Sequence, residues 1–207
     1  LPPVPEILVE QGPDGQFTVT LDRHMLPCIE IDSTLAEGLA SRSEGARMRD
    51  EAQGLVRALR FRERTLQAVA RLILSYQHRF FAEGPEHLAP MTRAEMAQAL
   101  DLHPSTVGRA LAGKALCFRG AVHPLSLFVS PPLPGSGTRA RTAYAVQQRI
   151  RKMIEDEPPG DALSDDRIAD LLRAEGVDIA RRTVAKYRQC LTIPSSFERR
   201  RRKARCG

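Results

Sequence analysis

The residues best suited to chemistry in this 207-residue chain are the guanidinium groups of the segment ARRTVAKYR, residues 180–188. On a helix of about 100° per residue, Val184, Tyr187 and Leu191 fall within an arc of roughly 60° and form an apolar face. The residues spread over the opposite side are Arg181, Arg182, Ala185, Lys186 and Gln189. Guanidinium groups can pair with O6 and N7 of guanine, and the small Ala185 allows close approach. This side therefore predicts base recognition in a DNA major groove.

Charge is distributed unevenly along the chain, which carries a formal net charge of +6. Residues 139–207 hold 17 Lys and Arg against 10 Asp and Glu, whereas residues 1–138 hold 14 against 15. A cation excess at one end predicts binding of a polyanion there, through neutralised phosphates and released counterions. The basic run near the C-terminus lacks apolar anchors, so we expect a flexible segment. Its candidate phosphate contacts are Arg199, Arg200, Arg201, Arg202 and Lys203.

The rest of the composition argues against several classes of protein. Hydrophobic residues make up 42% of the chain, enough for one to three compact domains. No apolar run approaches the ~20 residues of a membrane span, and the first residues lack the features of a secretory signal. We therefore expect a cytoplasmic protein without membrane association. The four cysteines and five histidines lack metal-ligand spacing, so we predict reduced thiols, no structural zinc and no cofactor.

Breaks in the sequence pattern divide the chain into four segments. The Pro- and Gly-rich stretch 130–138 is typical of a linker, and Gly84 followed by Pro85 marks a weaker boundary. The predicted segments are 1–84, a helical bundle; 85–129, a helix-turn-helix domain; 130–138, a linker; and 139–207, a second DNA-binding domain. The predicted fold class is therefore mainly α.

The first segment begins with a different periodicity from the one it ends with. Alternation in Phe17, Val19 and Leu21 after a Pro-Asp-Gly turn predicts a short hairpin. From residue 47 to residue 81, apolar residues recur at three- and four-residue steps with charges between them. This periodicity predicts two or three helices packed as a bundle, with the apolar stripe as its core.

Residues 96–111 have the spacing of a helix-turn-helix. Ala97 is the small residue at which two helices can touch, Val107 anchors the second helix, and Pro104 suits its first position. The candidate DNA contacts of this unit are Ser105, Thr106 and Arg109. Any two short helices with a tight turn give a similar pattern, so packing without DNA contact is the alternative. Asp101 occupies a turn position where glycine is common, which weakens the case for rich base recognition.

The last segment predicts a trihelical, helix-turn-helix-like domain. A helix over residues 143–154 must stop before Pro158, because proline cannot continue it. A second helix should begin after the N-cap Ser164 and end at Gly176. The basic helix that includes residues 180–188 is then the third element.

Three segments resemble one protein family, the sigma-54 (RpoN-type) bacterial transcription factors. ARRTVAKYR matches that family's signature box, the RpoN box, letter for letter. MAQALDLHPSTVGRAL, from residue 96, resembles the family's helix-turn-helix, and residues 163–188 resemble its C-terminal domain. Residues 50–66 resemble the stretch that ends the region binding core RNA polymerase. The resemblance thus covers nearly the whole chain.

The resemblance implies a role for each segment. In this family the box reads the upstream GG promoter element in the major groove, and the helix-turn-helix lies at the downstream GC element. By position, Arg109 matches the recognition-helix arginine of the downstream element. The box residues carried over are Arg181 and Arg182 for base recognition, with Lys186, Tyr187 and Arg188 in support. Phosphate positioning and base recognition are separate tasks, and base edges fall mainly to the two leading arginines.

The resemblance also implies partners. Residues 1–84 would be the C-terminal part of the region that binds core RNA polymerase, and double-stranded promoter DNA would be bound by a monomer. An AAA+ activator ATPase would act on the full-length protein, and the chain itself would catalyse no reaction. Because the chain starts inside the polymerase-binding region, we expect a C-terminal fragment.

Other classes of function remain as alternatives. An ordinary helix-turn-helix repressor would have a self-complementary apolar dimer surface and a palindromic operator. A DNA recombinase would need a nucleophile, for which Tyr187 beside Arg188 is a candidate, but the helical wheel places Tyr187 on the packing side. A plain amphipathic helix with its basic side in water is the remaining interpretation of residues 180–188.

Overall fold

The structure, a computed structural model, describes residues 4–22, 29–39, 43–134, 140–158 and 161–206, except for the side chains of residues 39, 43 and 202–206. The strands are β1 (Ile7–Gln11), β2 (Phe17–Leu21), β3 (Ala115–Phe118) and β4 (Ala121–Pro124). The α-helices are α1 (Ser33–Leu39), α2 (Ser43–Tyr76), α3 (His78–Glu83), α4 (Arg93–Ala99), α5 (Pro104–Leu111), α6 (Ala143–Glu155), α7 (Asp165–Ala174), α8 (Arg181–Cys190) and α9 (Ser196–Cys206). The predicted mainly helical class is confirmed.

The chain folds into two compact units, each built from two stretches of sequence. The first unit comprises Leu1–Ser75 and Arg93–Leu127, and the second comprises Tyr76–Thr92 and Phe128–Gly207. The predicted boundaries at residues 84, 129 and 138 stay a prediction. Of the predicted linker, residues 135–138 lie outside the described residues.

A four-stranded sheet in the first unit has the order β2-β1-β3-β4. β1 and β2 form the predicted hairpin, with Ile7 opposite Leu21, and Gly15 in the turn adopts φ 81°, a left-handed conformation that glycine tolerates. β1 pairs in parallel with β3, with Ile7 beside Leu116, and β3 pairs antiparallel with β4. The hairpin thus becomes part of a larger sheet through a pairing of residues more than 100 positions apart.

The segment with helical periodicity, residues 47–81, is covered by α2, a single helix of 34 residues, and by the start of the short α3. Two helices therefore lie within residues 47–81, in agreement with the predicted number, and α2 is long because no proline interrupts it and its periodicity continues unbroken. Only the second half of the stripe is core. Leu66, Val69 and Ile73 are at most 2% exposed, whereas Leu55 and Phe61 are 54% and 56% exposed. The apolar stripe therefore predicted a helix correctly, but it did not predict which part of the stripe is buried.

The helix-turn-helix is formed by α4 and α5. Ala97 and Val107 are buried, as their spacing predicts, and Pro104 begins α5. Asp101 in the turn adopts φ 51°, the left-handed conformation for which glycine is common and in which aspartate is tolerated. The side chain of His103 caps α5 by accepting a hydrogen bond from the backbone N–H of Ser105 at 3.2 Å.

The second unit has its main core between α6, α7 and α8. The central residues are at most 1% exposed: Val146, Ile150, Ile168, Leu172, Val177 and Val184. The predicted N-cap Ser164 accepts a hydrogen bond from the N–H of Arg167 at 3.1 Å, and Gly176 ends this segment with φ 86°. Phe80 and Phe81, from the earlier stretch of the same unit, have ring centroids 5.1 and 5.9 Å from that of Phe128.

The predicted flexible basic run is wrong, because residues 196–206 form α9. Ser195 and Glu198 make a capping box: the Ser195 hydroxyl accepts from the Glu198 N–H at 3.3 Å, and Glu198 accepts from the Ser195 N–H at 2.9 Å. The spacing Ser-x-x-Glu is a known start signal for a helix, so this element could have been read from the sequence.

Candidate nucleic-acid interface

The solvent side of α8 carries long polar side chains. Arg181, Arg182, Lys186 and Gln189 are exposed, and Ala185 between them is half-buried. On the other side, Val184 is fully buried. The two faces predicted for this helix are therefore present, and four of the six predicted box contacts are open to a ligand. Groups on one exposed face of a short helix can reach base edges in a major groove together.

Tyr187 is half-buried and packs against the core of the second unit. Burial raises the pKa of its phenol above its ordinary value, which disfavours the phenolate. A nucleophilic tyrosine requires the opposite, an accessible hydroxyl with a base beside it. The position of Tyr187 therefore agrees with a packing role and argues against the recombinase alternative.

Arg181 and Arg182 differ in what they touch within the protein. The guanidinium of Arg181 lies 3.4 Å from Asp166 of α7, in a pair whose side chains are 68% and 61% exposed. Such exposed pairs contribute little and exchange readily for another anion. Arg182 is exposed one position further along the same helix turn. Both guanidinium groups are thus available to a ligand, with Asp166 as a weak competitor for the first.

The predicted contact Arg188 is not on this face. Its side chain is 8% exposed, and its Nε and Nη2 donate to the two carboxylate oxygens of Asp165 at 2.8 and 3.0 Å. Its Nη1 donates to the carbonyl oxygen of Ile193 at 2.8 Å. The hydrogen bonds and charge of Asp165 raise the pKa of the Arg188 guanidinium. The prediction of a DNA contact is wrong for Arg188, because α7 satisfies its guanidinium inside the unit.

The prediction of a phosphate contact is also wrong for Arg199. It is buried, and its Nε and Nη2 donate to Glu157 at 3.1 and 3.0 Å. Arg200 and Arg201 are exposed, as a phosphate contact requires. The side chains of Arg202 and Lys203 lie outside those that the structure describes.

Sequence reasoning missed Asp165 and Glu157 as partners of these two arginines. The distances along the chain, 23 residues for Arg188 and 42 for Arg199, explain why no local pattern revealed either pair.

The helix-turn-helix presents a smaller polar surface. Ser105 and Arg109 are exposed and Thr106 is half-buried. Arg109 donates to the Thr106 hydroxyl at 3.4 Å, and the Ser105 hydroxyl lies 2.8 Å from Nδ1 of His103. Arg109 also lines a cavity of about 330 Å³ with Lys114 and other residues of the first unit. The three predicted contacts therefore lie together, but their donors are partly engaged by one another and by His103.

A comparison with protein-family models identifies the family. The model described as "Sigma-54, DNA binding domain" matches residues 42–201, more than three quarters of the chain. The chain belongs to the sigma-54 family. The resemblance predicted from the RpoN box and the helix-turn-helix is thereby confirmed.

Curated members of the sigma-54 family match over nearly the whole chain. RNA polymerase sigma-54 factor 2 of Bradyrhizobium diazoefficiens is 39% identical over 97% of this chain and 39% of its own length. The RNA polymerase sigma-54 factor of Escherichia coli is 33% identical over 95% of this chain and 42% of its own length. The chain thus spans about two fifths of the length of these relatives.

A solved structure of the family agrees with the fold. The crystal structure of Aquifex aeolicus sigmaN bound to promoter DNA matches with a TM-score of 0.56 and 27% sequence identity. The match covers 95% of this chain and 59% of the Aquifex chain. The fold of this chain is therefore that of a sigma-54 protein over nearly its full length.

Two searches of the described residues bear on other kinds of site. None of the helices they form is both long and apolar enough to span a membrane. Among the same residues, His, Cys, Asp and Glu nowhere gather into a group of three that could hold a metal ion.

Proposed function

We propose that this chain is the promoter-binding part of a sigma-54 factor. It binds double-stranded promoter DNA as a monomer, positions core RNA polymerase for initiation and catalyses no reaction itself. The observation that carries the proposal is the exposed face of α8, where Arg181, Arg182, Lys186 and Gln189 project from a helix whose other face is buried. A packed helix with exposed guanidinium groups suits guanine recognition, because the backbone that carries these groups is already ordered before binding.

Each group of exposed residues has its own role in this proposal. Arg181 and Arg182 read the GG element, supported by Lys186 and Gln189, while the small Ala185 allows close approach of the helix. The helix-turn-helix residues Ser105, Thr106 and Arg109 lie at the downstream GC element. Arg200 and Arg201 contact phosphates, and Arg202 and Lys203 continue that basic row in the sequence. Arg188 is assigned to holding α8 in place.

The partners follow from family membership and are part of the same proposal. Residues 1–84 contribute to binding core RNA polymerase, and the curated relatives are called RNA polymerase sigma-54 factors. The activator is an AAA+ ATPase that acts on the full-length protein, in the cytoplasm, where bacterial promoters are found. ATP hydrolysis then belongs to the activator and not to this chain.

A footprint of the 207-residue chain tests the DNA part directly. The duplex carries a GG element about one helical turn, roughly 10 bp, upstream of a GC element. Protection of both elements by one chain per duplex is the expected result. A two-fold symmetric footprint with two chains per site would contradict the proposal and favour an ordinary repressor. Product formation from the duplex in Mg²⁺ would instead favour an enzyme.

The separation of the two elements is expected to matter. Inserting half a helical turn, about 5 bp, rotates one element to the other side of the duplex. One tethered chain cannot then engage both elements in register, and affinity should fall at least about tenfold, since linked binding gains roughly 10²–10⁴ over either contact alone. Titration of the two duplexes at one salt concentration measures this loss, and an insertion of a full turn is the control. Equal affinity for the original and half-turn duplexes would contradict two-element binding.

Arg109→Ala is expected to reduce overall affinity less than a change in α8. The expected cost is about 1 kcal/mol or less, below the roughly 1–3 kcal/mol of a bidentate base contact, because the Arg109 guanidinium already donates to Thr106 and the segment adds little charge. Binding of Arg109→Ala and Arg182→Ala to the same duplex gives the ranking. A loss of affinity at Arg109 equal to or above that at Arg182 would contradict this ranking.

A further inference from the structure

Among the side chains of α9 that the structure describes, those of residues 196–201, Arg199 is the buried one, and it joins the helix to the second unit. Arg199 is 8% exposed at its side chain, and its partner Glu157 is 1% exposed. Besides the two bonds to Glu157, Nη1 of Arg199 donates to the carbonyl of Pro194 at 2.6 Å, and Nη2 donates to that of Leu163 at 2.8 Å. Glu157 in turn accepts from the N–H of Leu163 at 3.1 Å. The polar groups at this contact are thus hydrogen-bonded to one another, which a buried ion pair requires.

Arg188 makes a matching arrangement one helix earlier. It joins Asp165 to the carbonyl of Ile193, while Arg199 joins Glu157 to the carbonyl of Pro194. The two guanidinium groups therefore hold neighbouring carbonyls of the turn that links α8 to α9. Because the guanidinium groups that hold these two carbonyls also pair with Asp165 and Glu157, the turn is tied to the body of the unit, which restrains the direction of α9.

The neighbours of Arg199 in the sequence are exposed to solvent, unlike Arg199 itself. Arg200 and Arg201 are exposed, and Phe197 is 69% exposed, while Arg199 between them is buried. Residues three and four positions apart share a face of a helix, so Phe197, Arg200 and Arg201 form one outward surface. Two cations on a docked helix lose less conformational freedom on meeting an anion than two cations on a free tail.

We propose that Arg199 is a positioning residue for DNA binding: through Glu157 it holds α9 so that Arg200 and Arg201 contact phosphates of the duplex that α8 reads. The inference rests on the proposed function, because it takes the duplex as the ligand. It differs from phosphate binding by a flexible basic tail, in which Arg199 would itself be a phosphate contact. Lysine cannot substitute for Arg199, since its single ammonium lacks the planar set of donors that reaches three acceptor groups.

The decisive experiment is a double-mutant cycle on the 207-residue chain. Affinity for a GG duplex is measured by fluorescence anisotropy at several salt concentrations for the parent, Arg199→Met, Arg200→Gln/Arg201→Gln and the triple variant. In the parent, losing Arg200 and Arg201 should reduce the slope of log K against log salt by about two. In the Arg199→Met background the same loss should change the slope by less than one. Equal slope changes in both backgrounds would overturn the proposal.

A measurement without DNA separates this inference from the proposed function. Amide hydrogen exchange over residues 196–206 should be at least about tenfold faster in Arg199→Met than in the parent. The matched control is Arg173→Met, which removes an arginine paired with Asp170 and Asp178 on the surface of α7 and should leave exchange in α9 unchanged. Unchanged protection of α9 in Arg199→Met would overturn the positioning role, whatever the DNA results.

Unfolding of the unit by Arg199→Met and the absence of a GG preference in the parent each have a defined consequence. If exchange over α6–α8 shows that Arg199→Met unfolds the unit, Glu157→Gln replaces it in both measurements, because that variant removes the ion pair but keeps an acceptor for Leu163. Additive slopes with Glu157→Gln would then overturn the proposal. If the parent shows no preference for GG over a scrambled duplex, the proposed promoter recognition fails, whereas the slope cycle on any duplex and the exchange data still decide the role of Arg199.

Discussion

Arg182→Ala is expected to remove most of the preference of this chain for a GG duplex over a scrambled duplex. The exposed guanidinium of Arg182 projects from a helix that is packed through Val184 and Tyr187, so it is the best-placed group for a bidentate contact to guanine. Loss of one such contact costs about 1–3 kcal/mol, which corresponds to roughly 5- to 150-fold in affinity for GG. Affinity for the scrambled duplex should change far less, because the variant loses there only the attraction of one positive charge to the DNA phosphates.

The measurement is a titration of each variant on matched GG and scrambled duplexes at several salt concentrations. Arg173→Ala, on the surface of α7, is the control for losing one exposed positive charge. Arg200→Gln/Arg201→Gln should weaken both duplexes alike and reduce the salt dependence, without altering discrimination. If those changes in α9 abolished the GG preference while Arg182→Ala preserved it, the assignment of α8 as the recognition helix would be wrong.

The second large effect is expected in stability. Arg188→Met should lower the free energy of unfolding of the second unit by about 3 kcal/mol, because it leaves the carboxylate of Asp165 largely buried without its partner. The turn after α8 also loses its bond from Arg188 to the carbonyl of Ile193. Denaturation by urea, followed by circular dichroism, measures the change. DNA binding at low temperature, where the variant remains folded, should be reduced much less than in Arg182→Ala.

The neighbouring aspartates supply the matched control for this pair. Asp165 and Asp166 both lie in the first turn of α7, where a negative charge favours the helix equally well. Asp165→Asn breaks the buried pair with Arg188, whereas Asp166→Asn breaks only the exposed pair with Arg181, worth about 0–1 kcal/mol. A loss of stability at Asp166 as large as that at Asp165 would mean that the helix end, and not the buried pair, explains the effect.

The contrast between Arg182 and Arg188 also explains a limit of sequence reasoning within the box itself. The wheel separated Val184 and Tyr187 from the polar residues correctly, because the period of a helix alone decides which residues share a side. Only the family resemblance groups Arg188 with the contacts, since the helical wheel does not place it on the solvent side. Its role depends on Asp165, which another helix carries to within 3 Å of it.

Long-range pairing limited the fold prediction in the same way. The hairpin of β1 and β2 could be predicted because its turn and alternation are local, whereas the parallel pairing of β1 with β3 joins residues over 100 positions apart. Helical periodicity marked residues 47–81, yet it could not distinguish one helix of 34 residues from several, nor predict that Leu55 and Phe61 stay exposed.

The sequence by itself determined the family, the mainly helical class, the N-cap at Ser164, the helix start at Pro104 and the polar face of α8, because each depends on neighbours within a few turns of the chain. Only the tertiary structure decided which arginines remain open to a ligand. Arg182 and Arg200 are exposed, while Arg188 is paired with Asp165 and Arg199 is paired with Glu157. The physical reason is that a guanidinium pairs equally well with a carboxylate of the protein and a phosphate of DNA. Its role is therefore set by whichever anion the fold brings within hydrogen-bonding distance.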